Sequence, residues 1–301
     1  MKENIEKLYE RTIYSLENTN LELISKELKS ITGSTIVTGV GGSSVVSNFV
    51  SKVLSKKNNI ICNSMSSRNP LYLNIEPYKN IIACSYSGNN LGVNISLANS
   101  LNRYLLSHNR REDVNNLQYK INEKEHSFIS LSSTIIPMSI LLAYYLDKDI
   151  SIIKEVLRDK ESPSIKNSDI YELLSGYETN TADTFFSSTM TEAGLGVPII
   201  HDKYDFCHGR STLGIHYNTN MILLNNNTEL DRLLLEELPK YYKNLLIINR
   251  KYTDNIINDY YLTYKLLLLC QNIALQKNKD LSDVEHSPIT KKLYKFSGTM
   301  W

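Results

Sequence analysis

An apolar run that ends in hydroxyls and a glycine, Ile81-Ile82-Ala83-Cys84-Ser85-Tyr86-Ser87-Gly88-Asn89-Asn90, has the clearest capacity for chemistry in this chain. A buried strand that turns in this way into a helix presents backbone amides without intrahelical acceptors, and the helix dipole favours an anion there. The hydroxyls of Ser85 and Ser87 and the amide of Asn90 add donors suited to phosphate oxygens. The alternative is an ordinary helix cap, for which Ser and Asn are favoured in any case. Gly39-Val40-Gly41-Gly42-Ser43-Ser44 stands in the same way after an earlier β-rich run. It departs from the dinucleotide fingerprint: Ser44 takes the third glycine position, and Cys62-Asn63, with no acid, ends the next run. No G-x-x-x-x-G-K-[ST] segment occurs either, so no cofactor is expected. His201, His208 and His216 form no H-E-x-x-H pattern, and no metal is expected.

The elements that must position these turns can be read from periodicity. Residues 3–31 read as two short helices, with apolar positions at helical spacing. Strand-type runs follow at Thr35–Thr38, Asn59–Cys62, Asn80–Cys84 and Arg103–Ser107, with helices over Ser44–Ser55, around Leu91–Leu97, and over Thr134–Leu146. Lys148–Asn167 is charged, carries Pro163, and reads as a connection between halves. The rhythm restarts with strands at Ile170–Leu174, Val197–His201, Met221–Leu224 and Leu245–Asn249, and helices over Ala182–Ala193, Glu229–Tyr242 and Tyr260–Gln276. Alternation of this kind predicts an α/β fold with parallel sheets covered on both faces, and puts the loops after the strands along one sheet edge.

Composition narrows the setting. In 301 residues, 33 Lys and Arg nearly cancel 32 Asp and Glu, so no nucleic-acid face and no anionic-membrane patch is expected. Any anion must be held locally. Cys62, Cys84, Cys207 and Cys270 form no C-x-x-C pair, which fits a reducing, cytoplasmic location. Met1-Lys2-Glu3-Asn4 opens into an amphipathic, acidic pattern rather than the apolar core of a signal peptide, and runs such as Leu266–Cys270 are too short to span a bilayer.

Two such turns in one parallel sheet, the second rich in Ser, resemble the sugar isomerase (SIS) domain family, and within it the double-SIS proteins related to the isomerase half of glucosamine-6-phosphate synthase. The family turn S-x-S-G-E-T matches at Ser85, Ser87 and Gly88, with Asn89 and Asn90 in place of the acid and the Thr. Ser43 stands where the family has a small hydroxyl residue. Glu125-His126-Ser127-Phe128-Ile129-Ser130-Leu131 aligns with E-x-x-V-A-S-T, and Thr191-Glu192-Ala193-Gly194 through Asp205-Phe206-Cys207-His208-Gly209 aligns with the family's K-E and E-x-x-H-G-P segments. The resemblance runs from about Gly33 to Lys295 and implies two flavodoxin-like SIS subdomains, each a parallel sheet flanked by helices. It divides the chain into N-terminal helices (1–32), a first subdomain (33–150), and a second (165–301) with a C-terminal tail.

The resemblance also implies roles. Ser43, Ser85, Ser87, Asn90 and Ser130 would bind a sugar phosphate, Glu192 would move a proton between sugar carbons, and His208, reaching from a neighbouring subunit of a homodimer, would open the ring. Such chemistry needs a carboxylate, best partly buried, and a second acid–base group near neutral pKa. Taken singly, Glu192 is otherwise a charge at a helix end, His208 a loop histidine, and Ser130 a helix cap. The implied function is an aldose–ketose isomerase or deglycase, with a non-catalytic phosphosugar sensor as the alternative. Thr189 and Thr191 stand where active relatives usually carry Lys, and Arg210 replaces the family's proline, adding a positive fork for a carboxylate or second phosphate. Asp283–Leu293 resembles the tail that closes the family site, with Lys291 or Lys292 as its lysine.

Overall fold

The β-branched run Thr35-Ile36-Val37-Thr38 forms a strand whose every residue is buried, the mark of a central strand covered on both faces. In the computed structural model, which describes residues 2–284 except Ser100, His126 and Phe128, helices α1 (Lys2–Asn18) and α2 (Leu21–Ser30) precede this strand, β1 (Thr35–Gly39). The first half continues through α3 (Gly42–Lys57), β2 (Cys62–Ser66), β3 (Asn80–Cys84), α4 (Leu91–Leu97), β4 (Asn102–Ser107), β5 (Asn115–Gln118), α5 (Ser132–Tyr145) and α6 (Ser151–Arg158). The second half comprises β6 (Ile170–Ser175), α7 (Asn180–Glu192), β7 (Val197–Asp202), α8 (Lys203–Cys207), α9 (Leu213–His216), β8 (Asn220–Asn225), α10 (Glu229–Tyr241), β9 (Leu245–Asn249) and α11 (Asn255–Gln276).

Two parallel sheets result, ordered β2-β1-β3-β4-β5 and β7-β6-β8-β9. This is the α/β architecture expected from the alternation. In each sheet the chain starts at an inner strand, moves one place outward, then returns to the other side of its start. One apolar core serves both sheets: Val37 and Ile82 of the first and Leu173 and Ile222 of the second belong to the same buried cluster. Helices α3, α5, α7 and α11 fill the space between the sheets. The middle helix α11 is buried without a break from Ile256 to Cys270, as befits a helix with protein on all sides.

Helices α3 and α7 lie side by side and run in opposite directions. Asn48 Nδ2 donates to Thr184 Oγ1 at 3.0 Å, and further along Lys52 Nζ donates to the Glu178 carbonyl at 3.3 Å and pairs with Asp259 of α11 at 2.5 Å. Among the described residues no helix is long and apolar enough to cross a membrane.

Besides the short helices α8 and α9 and an earlier start of α11, which the sequence pattern did not indicate, the elements differ from expectation at the sheet edges and in the connection. The second strand lies at Cys62–Ser66 rather than Asn59–Cys62, because it is an edge strand with one open face, and apolar Ile61 just before it is 70% exposed. The charged stretch 148–167 contains α6, which buries Ile153, Val156 and Leu157. An extra edge strand, β5, is built from Asn115-Asn116-Leu117-Gln118, of which only Leu117 is buried.

Candidate functional site

In the first sheet β1 connects outward to β2 on one side, while β3 returns to its other side. The loops after β1 and β3 therefore part company at the strand ends, and the crevice between them is where open α/β sheets bind ligands. The loop after β1 is a three-way junction. Val40 Cγ2 lies 2.5 Å from where a Cβ on Gly92 of α4 would stand, Thr134 Oγ1 of α5 lies 3.4 Å from the corresponding point on Gly42, and Glu192 Oε1 of α7 lies 3.8 Å from that on Gly41. Three successive residues thus meet three segments, one of them from the second half of the chain.

The loop after β3 holds its shape with its own side chains. Ser85 Oγ accepts hydrogen bonds from the Gly88 amide and from Asn90 Nδ2, each at 3.1 Å, while Asn90 Oδ1 caps α4 by accepting from the Val93 amide at 2.9 Å. Gly88 sits at φ +73°, and a Cβ there would come within 2.9 Å of Ser107 Oγ. Asn109 Nδ2 from the loop after β4 donates to the Ser87 carbonyl at 3.0 Å. Ser85 and Asn90 thus shape the turn, and these bonds use neither the Ser85 hydroxyl proton nor the second amide proton of Asn90. The hydroxyls of Ser87 and, in the first loop, Ser43 make no hydrogen bond to another described residue.

Ser130 precedes α5 and works as part of its cap. Its Oγ donates to Glu125 Oε2 at 3.3 Å and accepts from the Ser133 amide at 3.4 Å. Glu125 is buried and also accepts from the amides of Leu131 at 3.2 Å and Ser132 at 2.7 Å, with Arg11 Nη1 at 4.0 Å. The carboxylate takes the place of a short capping residue and ties the entrance of α5 to the sheet edge.

Glu192 ends α7 and is exposed, with Oε1 accepting from Ser188 Oγ at 2.6 Å. The partly buried carboxylate that proton transfer favours is thus not formed within one chain. His208 follows α8, is exposed, and precedes Gly209 at φ +109°. Because α7 runs back against the strand direction, Glu192 lies at the edge where β7 begins and His208 beyond the edge where β7 ends. A strand of this length separates the two edges by roughly 20 Å. Arg210 stands with His208, its Nη2 paired to Asp205 Oδ2 at 3.1 Å. Of the site residues expected from the sequence, Glu192 reaches the loop after β1 at Gly41, and that loop meets the start of α4 after the β3 loop through Val40 and Gly92, while His208 and Arg210 lie at the opposite edge of the second sheet. Lys291 and Lys292 lie outside the described residues.

No family model matches the chain, and no curated protein matches it. Solved structures do. Tagatose-6-phosphate ketose/aldose isomerase from Escherichia coli superposes with a TM-score of 0.75 at 16% identity, over 95% of this chain and 96% of that one. The C-terminal domain of glucosamine-fructose-6-phosphate aminotransferase from Francisella tularensis gives 0.70 at 13% identity, over 93% and 96%. Glucosamine-6-phosphate deaminase from Thermotoga maritima gives 0.70 at 13% identity, over 94% and 97%. The chain has the double-SIS fold.

Polar groups gather at the loop ends of both SIS sheets. In the second, the place between β6 and β8 is filled by the chain's own charges: Lys203 Nζ lies 2.6 Å from Asp231 Oδ1 and donates to the Leu224 carbonyl at 2.7 Å, and Asn226 Nδ2 donates to Glu178 Oε1 at 2.6 Å. In the first SIS sheet a cleft of about 360 Å³ lies on the β2 side of β1, lined by Gly39–Gly41, Ser44, Ser47, Asn48 and Ser64–Ser66. Sequence reasoning missed these lining residues apart from the glycine turn. Ser44, Ser47 and Asn48 recur at helical spacing just inside α3, and that polar stripe at a helix start was the available signal.

Proposed function

We propose that this chain binds a sugar phosphate at the mouth between β1 and β3 and catalyses an aldose–ketose isomerisation, or the related deglycation of an amino-substituted sugar phosphate. The observation that carries the reading is the approach of Glu192 Oε1 to Gly41, which brings a carboxylate from the second half to the loop junction of the first. The hydroxyls of Ser43, Ser85 and Ser87 and the Asn90 amide donate to the phosphate, while the bonds among Ser85, Gly88 and Asn90 and the Ser130–Glu125 bond keep the loops in shape. With the phosphate there, the carbonyl end of the sugar reaches Glu192, which takes a proton from one carbon and returns it to the next. Likeness in fold to proteins described as acting on tagatose 6-phosphate and glucosamine 6-phosphate supports the substrate class.

The distance between Glu192 and His208 in one chain supports a homodimer, in which a second copy brings His208 and Arg210 to the sugar and covers Glu192. The setting we infer is the cytoplasm, where free cysteines stay reduced. A phosphosugar sensor without turnover is the second reading, favoured by the exposure of Glu192 and by the pairing of Arg210 with Asp205. Incubation with hexose phosphates in D₂O separates them. Deuterium appearing at C2, and lost in Glu192→Gln, is the expected result; saturable binding with no exchange would replace the isomerase with the sensor.

A further inference from the structure

We infer that Lys279, in the short stretch that follows α11, is a positioning residue for Glu192: it anchors the end of α7 behind the carboxylate and supplies a cation there. This rests on the isomerase reading above. Helices α7 and α11 run side by side in the same direction, since the Ala182 amide early in α7 donates to Asp259 early in α11. They also end alike. Gly194 at φ +57° follows α7, with the Leu195 amide donating to the Met190 carbonyl at 2.9 Å. Asn278 at φ +52° follows α11, with the Lys279 amide donating to the Ala274 carbonyl at 2.8 Å. Past these matching turns the Lys279 side chain crosses from one helix end to the other, and its ammonium donates to the Gly194 carbonyl, two residues beyond Glu192.

Electrostatics explains why a cation belongs there. Two parallel helices bring two negative dipole ends together, and Glu192, the last residue of α7, adds a carboxylate to them. Lys277 at the same end is taken by Asp169 at 3.5 Å. Lys279 pairs with no carboxylate among the described residues, so its charge serves the helix ends. The bond from Ser188 Oγ turns the Glu192 carboxylate, and Lys279 holds the backbone that carries it. The same stretch also reaches the other half of the site. Leu281 is buried, and its carbonyl accepts from the Ile129 amide at 3.2 Å, beside Ser130. One short segment thus ties down both the end of α7 and the loop before α5, and the spacing between Glu192 and Ser130 depends on it.

The test measures deuterium exchange at C1 or C2 in D₂O, and binding by calorimetry, with glucose 6-phosphate, tagatose 6-phosphate and glucosamine 6-phosphate. It compares wild type with Lys279→Met, which keeps the stem and loses the charge, and Lys279→Arg, which keeps a cationic donor. Lys279 is exposed, so neither change disturbs the core. On the sugars that wild type exchanges, Lys279→Met should lower the saturating rate tenfold or more and leave KM and the calorimetric Kd within twofold. Lys279→Arg should keep at least a third of the wild-type rate. A saturating rate within twofold of wild type in Lys279→Met, an equal loss in Lys279→Arg, or a rate loss matched by an equal loss of binding would overturn the role. Wild type that binds these sugars without exchange, or binds none of them, would instead remove the isomerase reading, and the role of Lys279 with it.

Discussion

Asn48 Nδ2 on α3 donates a hydrogen bond to Thr184 Oγ1 on α7, across 136 positions of sequence. Together with the Lys52–Asp259 pair it fixes how far α7 extends along α3, and so where Glu192 arrives relative to Gly41. The reach of the carboxylate is set by contacts two to three helical turns away from it.

That arrangement predicts a large effect from breaking the pair. Lys52 and Asp259 are both buried, and Asp259 Oδ1 also accepts from the Ala182 amide at 3.2 Å. Lys52→Met or Asp259→Leu, each leaving a partner uncompensated, should cost about 3–5 kcal/mol in denaturant unfolding, and the two combined should cost less than the sum.

Gly88 makes the loop after β3 possible. Gly88→Ala places a side chain at positive φ against Ser107 and Leu105 and should lower stability by about 1–3 kcal/mol. Binding of sugar phosphates, measured by calorimetry at a temperature where the variant is folded, should fall with it.

Asp183 gives a pH dependence. Burial, assisted by the negative charge of Asp259 and opposed by the hydrogen bond from Ser175, raises its pKa to about 6. The folded state thus holds a proton that the unfolded chain releases near pH 4. Its contribution is fully present below pH 4 and is lost as pH rises through about 6. Asp183→Asn should remove that downward slope between pH 4 and 6 from the unfolding free energy.

Glu125 caps α5 from within the protein. Glu125→Ala leaves the amides of Leu131 and Ser132 without their acceptor, and should cost about 2–3 kcal/mol by chemical unfolding. Ser130, which donates to the same carboxylate, should lose its orientation, so weaker sugar-phosphate binding is expected in the surviving folded protein.

The central strands were legible because their runs are apolar throughout, as at Ile81-Ile82-Ala83-Cys84 and Met221-Ile222-Leu223-Leu224. Edge strands were not. Cys62–Ser66 and Asn115–Gln118 each fix few side chains in the core, so neighbouring Ile60 and Ile61 give a stronger strand signal than the strand itself. Helix α6 buries only three residues within a charged stretch, which hides its periodicity. The loops of the site could be found from their Gly and Ser content. Their meeting with Glu192 could not, since Gly41 and Glu192 come together only through the packing of α3 on α7.

One core shared by both sheets has a consequence for synthesis. Val37 and Ile82 pack in the same cluster as Leu173 and Ile222, and Lys52 waits for a partner 207 residues later in the chain. At ordinary translation speeds that wait lasts about 10–40 s. Throughout it the nascent amino-terminal half carries an open apolar flank and a lone ammonium, a substrate for holdase chaperones until Asp259 has cleared the ribosome.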